Sequence, residues 1–409
     1  MIARFCAYGF LKNLRLFEAF LLLALLERGL DFMAIGALIS VREIAVNLLE
    51  IPSGALADGL GRKRCMVISM ASYVVAYLIL GLASDWWALA AAMVAYGVGD
   101  AFRSGTHKAM IYTWLRQQGR IEEKTQVYGH TRSWSKLGSA CSALLGGAIL
   151  LTGADYRWVF LGSAVPAALN LLNLATYPAN LDIQPAAKTN GWSQSLGHLR
   201  QGLRTAFTEP WARRLVLSSA IVEGGYTVVK DYIQPLLQTL AVSLVLVPIL
   251  DTRQRTSATI ALVTAALFVL ASAASRRAHT LEARFNNDSQ RAATAIARGF
   301  FIAFIVLAVG LGLGQAWLAA LAFIALGIGQ NLWRPIHVGR FDRPEHEAQA
   351  ATLLSVESQA KAAAAAIAAP ILGALLDWTS AGASPIPLNA LWPVALVGLP
   401  LILLVRTPK

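Results

Sequence analysis

The chain of 409 residues is 56% hydrophobic and 14% charged, with a formal charge of +12 and a pI near 9.9. This apolar excess excludes an ordinary soluble domain or a disordered chain. The basic balance follows from where Lys and Arg flank the hydrophobic runs, so no nucleic-acid partner is expected.

A run of about 20 apolar residues crosses a hydrocarbon core of about 30 Å. Twelve such spans are expected, over 9–28, 34–54, 65–83, 87–113, 127–151, 157–177, 213–240, 257–275, 293–313, 315–338, 349–377 and 386–405. The start, Met1-Ile-Ala-Arg4-Phe-Cys6, leads into span 1 without a cleavage site, so span 1 is read as its own insertion signal. Span 1 carries Asn13, Arg15 and Glu18. On span 2, Glu43, Asn47 and Glu50 fall on one helical face, with Arg42 about 100° away. Span 2 then runs into Gly54-Ala-Leu-Ala-Asp58-Gly-Leu-Gly61-Arg62-Lys63-Arg64, read as a tight basic turn. Asp100, Arg103 and His107 form a stripe on span 4, and Arg132 with Lys136 another on span 5. The long connector from Pro178 to Pro210 includes an amphipathic stretch over 193–207. Span 7 carries Glu223, Tyr226, Lys230, Asp231 and Tyr232; span 10 carries Gln330 and Arg334; span 11 carries Glu357, Gln359 and Lys361.

Lys and Arg follow the even-numbered spans, as at Arg62-Lys63-Arg64, Arg116, Arg276-Arg277, Arg340 and Arg406, whereas the loops near Asp85, Gln315 and Ser384 are nearly free of them. By the positive-inside rule both termini are expected in the cytoplasm, and the short loops suggest a bacterial inner membrane. Cys6, Cys65 and Cys141 are odd in number and widely spaced, so neither a disulfide framework nor a zinc site is expected. The six His are scattered, and no phosphate-binding loop or nucleophile motif appears. The chain is therefore not read as an enzyme, and no catalytic group, metal or cofactor is expected.

The order Gly54, Asp58, Gly61-Arg62-Lys63-Arg64 resembles the loop between helices 2 and 3 of the major facilitator superfamily of secondary transporters. The resemblance implies an all-α membrane protein of twelve transmembrane helices in two six-helix pseudo-symmetric halves, divided here as 1–178, a connector over 179–210, and 211–409. A faint internal repeat agrees with it. Tyr96-Gly97-Val-Gly99-Asp100 aligns with Leu326-Gly327-Ile-Gly329-Gln330, His107 with His337, and Lys136 with Lys361. In the family this loop acts as a latch, which assigns Gly54, Asp58, Gly61 and Arg62 to gating; Arg103, placed after the span 4 glycines rather than before them, joins that group. Glu50-Ile-Pro52-Ser-Gly54 and Ala351-Thr-Leu-Leu-Ser355-Val-Glu-Ser358 resemble exporter-like members.

A charge near the bilayer centre costs on the order of 2.5–3.5 kcal/mol on insertion scales, so such residues face the interior and find partners. Isolated structural ion pairs would explain any single one. Polar lining of a water-filled, alternately opened cavity explains the whole set. Burial favours a protonated carboxyl and a nearby cation favours the ionised form, which makes Glu18, Glu43, Glu223 and Asp100 the candidate proton carriers. Candidate substrate contacts are Arg42, Lys136, Lys230, Arg334 and Lys361, with Tyr226, Tyr232, Gln330, Gln359 and Glu357. The resulting expectation is a monomeric, proton-coupled exporter of a small organic, anionic or amphipathic solute. The rival readings are an uptake symporter and a transport-dead sensor.

Overall fold

The computed structural model describes the backbone outside 104–105, 182–190, 244–249, 342–346, 382, 384–385 and 406–409, and side chains except also those of 51, 54–59, 125, 180, 191–196, 198–199, 201, 243 and 347–351. Every regular element among the described residues is helical. Nine helices there are long and apolar enough to cross a membrane. Spans 1 and 7, which are interrupted, and span 4, described as Trp86–Arg103 and Thr106–Gln117, fall outside this set, and they carry many of the chain's intramembrane charges.

Span 1, expected as one helix, consists of Ile2–Lys12, a turn, a short 3-10 segment Glu18–Phe20 and the helix Leu21–Glu27. A helix broken in lipid must satisfy the main-chain groups it frees. Here Ser163 Oγ accepts from Leu16 N at 2.8 Å, and Gln234 Oε1 accepts from Leu22 N at 2.9 Å and Leu23 N at 3.3 Å. Span 4 is Trp86–Arg103 followed by Thr106–Gln117. Span 7 is Pro210–Ser219, a π turn Ala220–Gly224, Gly225–Val229, a 3-10 turn Lys230–Tyr232, and Ile233–Ser243. The last span is 3-10 over Leu388–Leu401, where Pro393 and Pro400 each remove an amide donor, before a final turn Ile402–Val405.

The basic turn after span 2 is shorter than the sequence suggests. The helix Phe32–Leu60 runs through 54–60, and the chain reverses at Gly61 alone, before Arg62–Leu82. Gly61 has φ 95° and ψ 144°, a backbone region that side chains scarcely allow. The connector's amphipathic stretch is a helix, Gly191–Thr208. Its Ala206 is buried with Ala212, Leu215, Phe341, Leu353 and Val356.

The chain divides into two compact units, Met1–Phe20 with Val41–Leu196, and Leu21–Ser40 with Gly197–Lys409. In the first, Gly138 faces the main chain of Phe10, and Gly97 the main chain of Arg42; small residues at such crossings let helices approach closely. Phe17 stacks on Phe160 with ring centres 5.0 Å apart. In the second, Gly36 faces the main chain of Ala369 and Gly373 that of Phe32, while Ser40 Oγ donates to Ala366 O.

The start of the helix Phe32–Leu60 is capped from within the second unit. Asp377 accepts from Phe32 N at 2.9 Å and Met33 N at 2.8 Å, satisfying two amides that a helix start leaves unpaired. Asp377→Ala is expected to cost about 0.5–2 kcal/mol, the range for a lost cap. Hydrogen exchange at Phe32 and Met33 should accelerate in the variant. Unchanged exchange there would show that the carboxylate is dispensable.

Candidate functional site

The first unit gathers charged and phenolic groups from spans 1, 3 and 4. The break in span 1 frees Arg15 from a helical course, and its guanidinium donates to Tyr96 Oη and, at 3.3 Å, to Tyr73 Oη. Asp100 Oδ1 accepts from Tyr73 Oη at 2.5 Å and Arg103 Nη2 at 2.6 Å, and lies 3.7 Å from Arg15 Nη2. Arg103 Nε also donates to Tyr73 Oη at 3.0 Å. Two guanidiniums thus share one carboxylate, which leaves this cluster with one surplus positive charge.

Other expected residues of this unit lie around that cluster or apart from it. Arg42 folds back onto its neighbour Glu43 at 2.7 Å, with its guanidinium 5.5 Å from the Tyr96 ring centre, so the pair is internally neutral. Glu18 sits in the short 3-10 turn of span 1, half-buried, and Lys136 is half-buried on the helix Lys124–Leu151. His107 leaves the expected stripe. Its ring stacks on Tyr8 at 3.8 Å and meets the edge of Phe5 at 5.6 Å. Arg103, grouped with the gating loop from sequence, is held instead by Asp100 and Tyr73. Of the loop itself, the side chains of Gly54 and Asp58 lie outside the described residues, and Gly61 makes the turn. Arg62 donates to the Thr113 hydroxyl at 3.1 Å. Lys63 donates to Tyr177 O at 2.7 Å.

The second unit holds a denser cluster from spans 7, 10 and 11. Glu223 lies on the π turn Ala220–Gly224, a local widening often found at functional positions. The following Gly224 admits the main chain of Lys361: a Cβ at that position would stand 3.0 Å from Lys361 O. Glu223 Oε1 accepts from Gln330 Nε2 at 2.9 Å, and its Oε2 lies 3.8 Å from Lys361 Nζ and 4.0 Å from Arg334 Nε. Arg334 binds Glu357 through both terminal nitrogens, at 2.5 and 3.2 Å, and Ser219 Oγ donates to the same carboxylate. Lys361 Nζ is 4.0 Å from Glu357. Glu357 is 1% exposed, against 30% for the Arg334 side chain and 27% for that of Lys361. The two carboxylates and two cations balance, and both cations are within 4.0 Å of both acids.

Five expected residues, Glu223, Gln330, Arg334, Glu357 and Lys361, therefore meet. Gln359 does not join them, since a two-residue step from Glu357 turns about 200° around the helix. Tyr226 Oη lies 3.2 Å from where a Cβ of Gly327 would be. Lys230 lies 3.8 Å from Asp231, and Tyr232 is buried. The sequence reading named neither Tyr73, Tyr96 nor Ser219 as candidates. Tyr96 stands one helical turn before Asp100, a spacing that would have flagged it. Ser219 stands four residues before Glu223 with the same spacing, though its bond is to Glu357 on another span, and Tyr73 comes from span 3 and carries no such signal.

A family model described as Major Facilitator Superfamily matches residues 1–336. The uncharacterized MFS-type transporter EfpA of Mycobacterium tuberculosis is 31% identical over 127 residues, which are 31% of this chain and 23% of that protein. Puromycin resistance protein pur8 of Streptomyces alboniger is 29% identical over 140 residues, 34% of this chain and 27% of that protein. The chain thus spans about a quarter of the length of each of these relatives. The crystal structure of the nucleoside transporter NupG is similar over 100% of this chain and 99% of that one, at 13% identity with a TM-score of 0.74. That of a D-xylose-proton symporter is similar over 100% and 96%, at 13% identity and a TM-score of 0.64. At such identities the likeness concerns the fold alone, which in both cases extends over the whole chain. With the family model matching most of the sequence, the chain belongs to the Major Facilitator Superfamily and is an integral membrane protein.

Proposed function

We propose that the protein is a proton-coupled exporter of a small amphipathic organic solute, acting as a monomer in a bacterial inner membrane with both termini in the cytoplasm. The observation that carries this reading is Glu223, a carboxylate on a π turn whose three polar neighbours are Gln330, Arg334 and Lys361. Arg334 is already bidentate on Glu357, so Glu223 is the less firmly paired acid of the two. Adding a proton to Glu223 turns a neutral cluster into one with a net positive charge. A cationic amphiphile then loses its attraction to the site, so proton and solute exclude one another, as exchange requires. An anionic solute would prefer the protonated form and would move together with the proton. The sign of the coupling therefore reports the charge of the solute. The partial similarity to a puromycin resistance protein supports export and suggests puromycin, a cationic amphiphile, as one test compound.

The test is proton movement in liposomes containing the purified chain and a pH-sensitive dye, against a panel of cationic and anionic amphiphiles. Solute-dependent proton flux is expected, outward solute movement accompanying inward protons. In Glu223→Gln, which holds the cluster in its net positive form, the proton flux should vanish and binding of cationic solutes should weaken. Proton flux retained in Glu223→Gln would remove this residue as the carrier, with Glu18, Glu43 and Asp100 then next in line. Flux with anions alone, in the same direction as the solute, would establish uptake by symport.

A further inference from the structure

We propose that the second unit binds an anionic phospholipid in a cleft at the arginine-rich ends of spans 7, 9, 10 and 12, separate from the charged cluster described above. The cleft is a cavity of about 250 Å³. Its rim is polar and basic, formed by Arg214, Gln290 and Arg340, and its deeper wall is apolar, formed by Leu217, Trp333 and Leu403. Gln290 lies in the first turn of the helix Ser289–Gly312, and Arg340 caps the end of Ala316–Gly339. Trp333 stands seven residues before Arg340 on that same stretch, about 10 Å deeper along the axis. Polarity thus changes with depth as it does along a phospholipid, from charged headgroup to hydrocarbon.

The rim is built rather than incidental. Arg340 donates to Gln290 Oε1 and has its Nη1 3.2 Å from His337 Nδ1, contacts that aim the guanidinium from two helices. Arg214 is exposed beside it on the helix Pro210–Ser219, next to the equally exposed Arg213. No carboxylate lines the cavity among the described residues. Two guanidiniums facing one cavity favour a phosphate, which both can bind through paired N–H groups. A soluble anion would use the rim alone. The apolar wall opens outward, since Leu217 is 45% and Leu403 62% exposed, and in a membrane those leucines meet acyl chains. Basic clefts between spans at the cytoplasmic surface are where anionic lipid headgroups bind.

The experiment compares full-length protein with phosphatidylglycerol, with phosphatidylcholine and with inorganic phosphate, reading lipid retention by native mass spectrometry and the melting temperature in one detergent. Phosphatidylglycerol should be retained and should raise the melting temperature; phosphatidylcholine and phosphate should do neither. Arg214→Gln, an exposed side chain whose loss leaves the fold intact, should weaken phosphatidylglycerol retention about fivefold, the effect of one surface cation. Arg340→Gln should weaken it at least as much, and Leu217→Asn should weaken it with both arginines in place. Equal retention of the two lipids, or retention of phosphatidylglycerol unchanged in both arginine variants, would overturn the proposal. Protection by inorganic phosphate equal to that by phosphatidylglycerol would also overturn it, leaving a simple anion site. Because the readout is lipid binding, failure of the proton-flux experiment leaves this result standing.

Discussion

Arg334→Ala is expected to destabilise the second unit by about 3–5 kcal/mol, the range for removing one partner of a buried ion pair. The reason is Glu357, which is 1% exposed and takes both of its strong charge-assisted bonds from Arg334 at 2.5 and 3.2 Å. Lys361, at 4.0 Å and also serving Glu223, cannot replace a bidentate partner. The loss comes mainly from stranding a carboxylate, so removing its charge should return much of it. Arg334→Ala combined with Glu357→Gln should melt well above Arg334→Ala alone, because Ser219 still donates to the amide oxygen. Thermal melting of the parent, Arg334→Ala, Glu357→Gln and the double variant in one detergent decides the matter. If the double variant melts no higher than the single one, Arg334 acts through packing and the ion-pair account fails.

Asp100→Asn should be comparably damaging in the first unit, by about 3–5 kcal/mol, for the opposite reason. It strands cations: Arg15 and Arg103 converge on that one carboxylate and are 11% and 26% exposed. An amide there keeps the shape and one acceptor oxygen but not the charge, and the two guanidiniums would then repel one another with that oxygen and tyrosine hydroxyls as their acceptors. Asp100→Asn should lower the melting temperature sharply and end solute transport. Adding Arg15→Gln should recover part of the melting temperature, since it removes one of the two unmatched charges. A melting temperature for Asp100→Asn within about 1 °C of the parent would mean that water or lipid headgroups already neutralise these arginines, and the cluster would lose its structural role.

The contrast between the clusters follows from their composition. One acid under two arginines keeps a surplus charge whatever a proton does nearby. Two acids between two cations are balanced, and a single proton tips them. This is why Glu223, rather than Asp100, is the residue placed at the centre of coupling.

Much of the architecture was legible in the amino-acid sequence because membrane insertion imposes a one-dimensional rule. Each span must supply about 20 apolar residues, and the excess of hydrophobic over charged residues marks spans without knowledge of what they touch. The same rule flagged the exceptions, since Glu223, Arg334, Glu357 and Lys361 stand out in apolar surroundings, and the i,i+4 spacing of Glu357 and Lys361 places them on one face. The glycine-punctuated basic segment at 54–64 pointed to the family, and Gly61 does make the turn.

Tertiary structure decided what helical periodicity cannot express. Span 1 reads as continuous, yet it breaks after Lys12 because Ser163 and Gln234, far away in sequence, accept the amides that the break releases. That break is what turns Arg15 toward Asp100. The π turn at Glu223 has no pattern of its own in the sequence, and it rests on Gly224 meeting the main chain of span 11. His107 looked like a third member of the Asp100 stripe, but stacking on Tyr8 drew it elsewhere. Asp377, unremarkable at the end of a long helix, gains its role by meeting the first amides of Phe32–Leu60. The sequence by itself determined how many times this chain crosses the bilayer and which charges had to find partners there, because solvation in lipid depends on each segment alone. Which charge found which partner was decided by tertiary structure, because pairing depends on how breaks and close glycine contacts bring separate spans together.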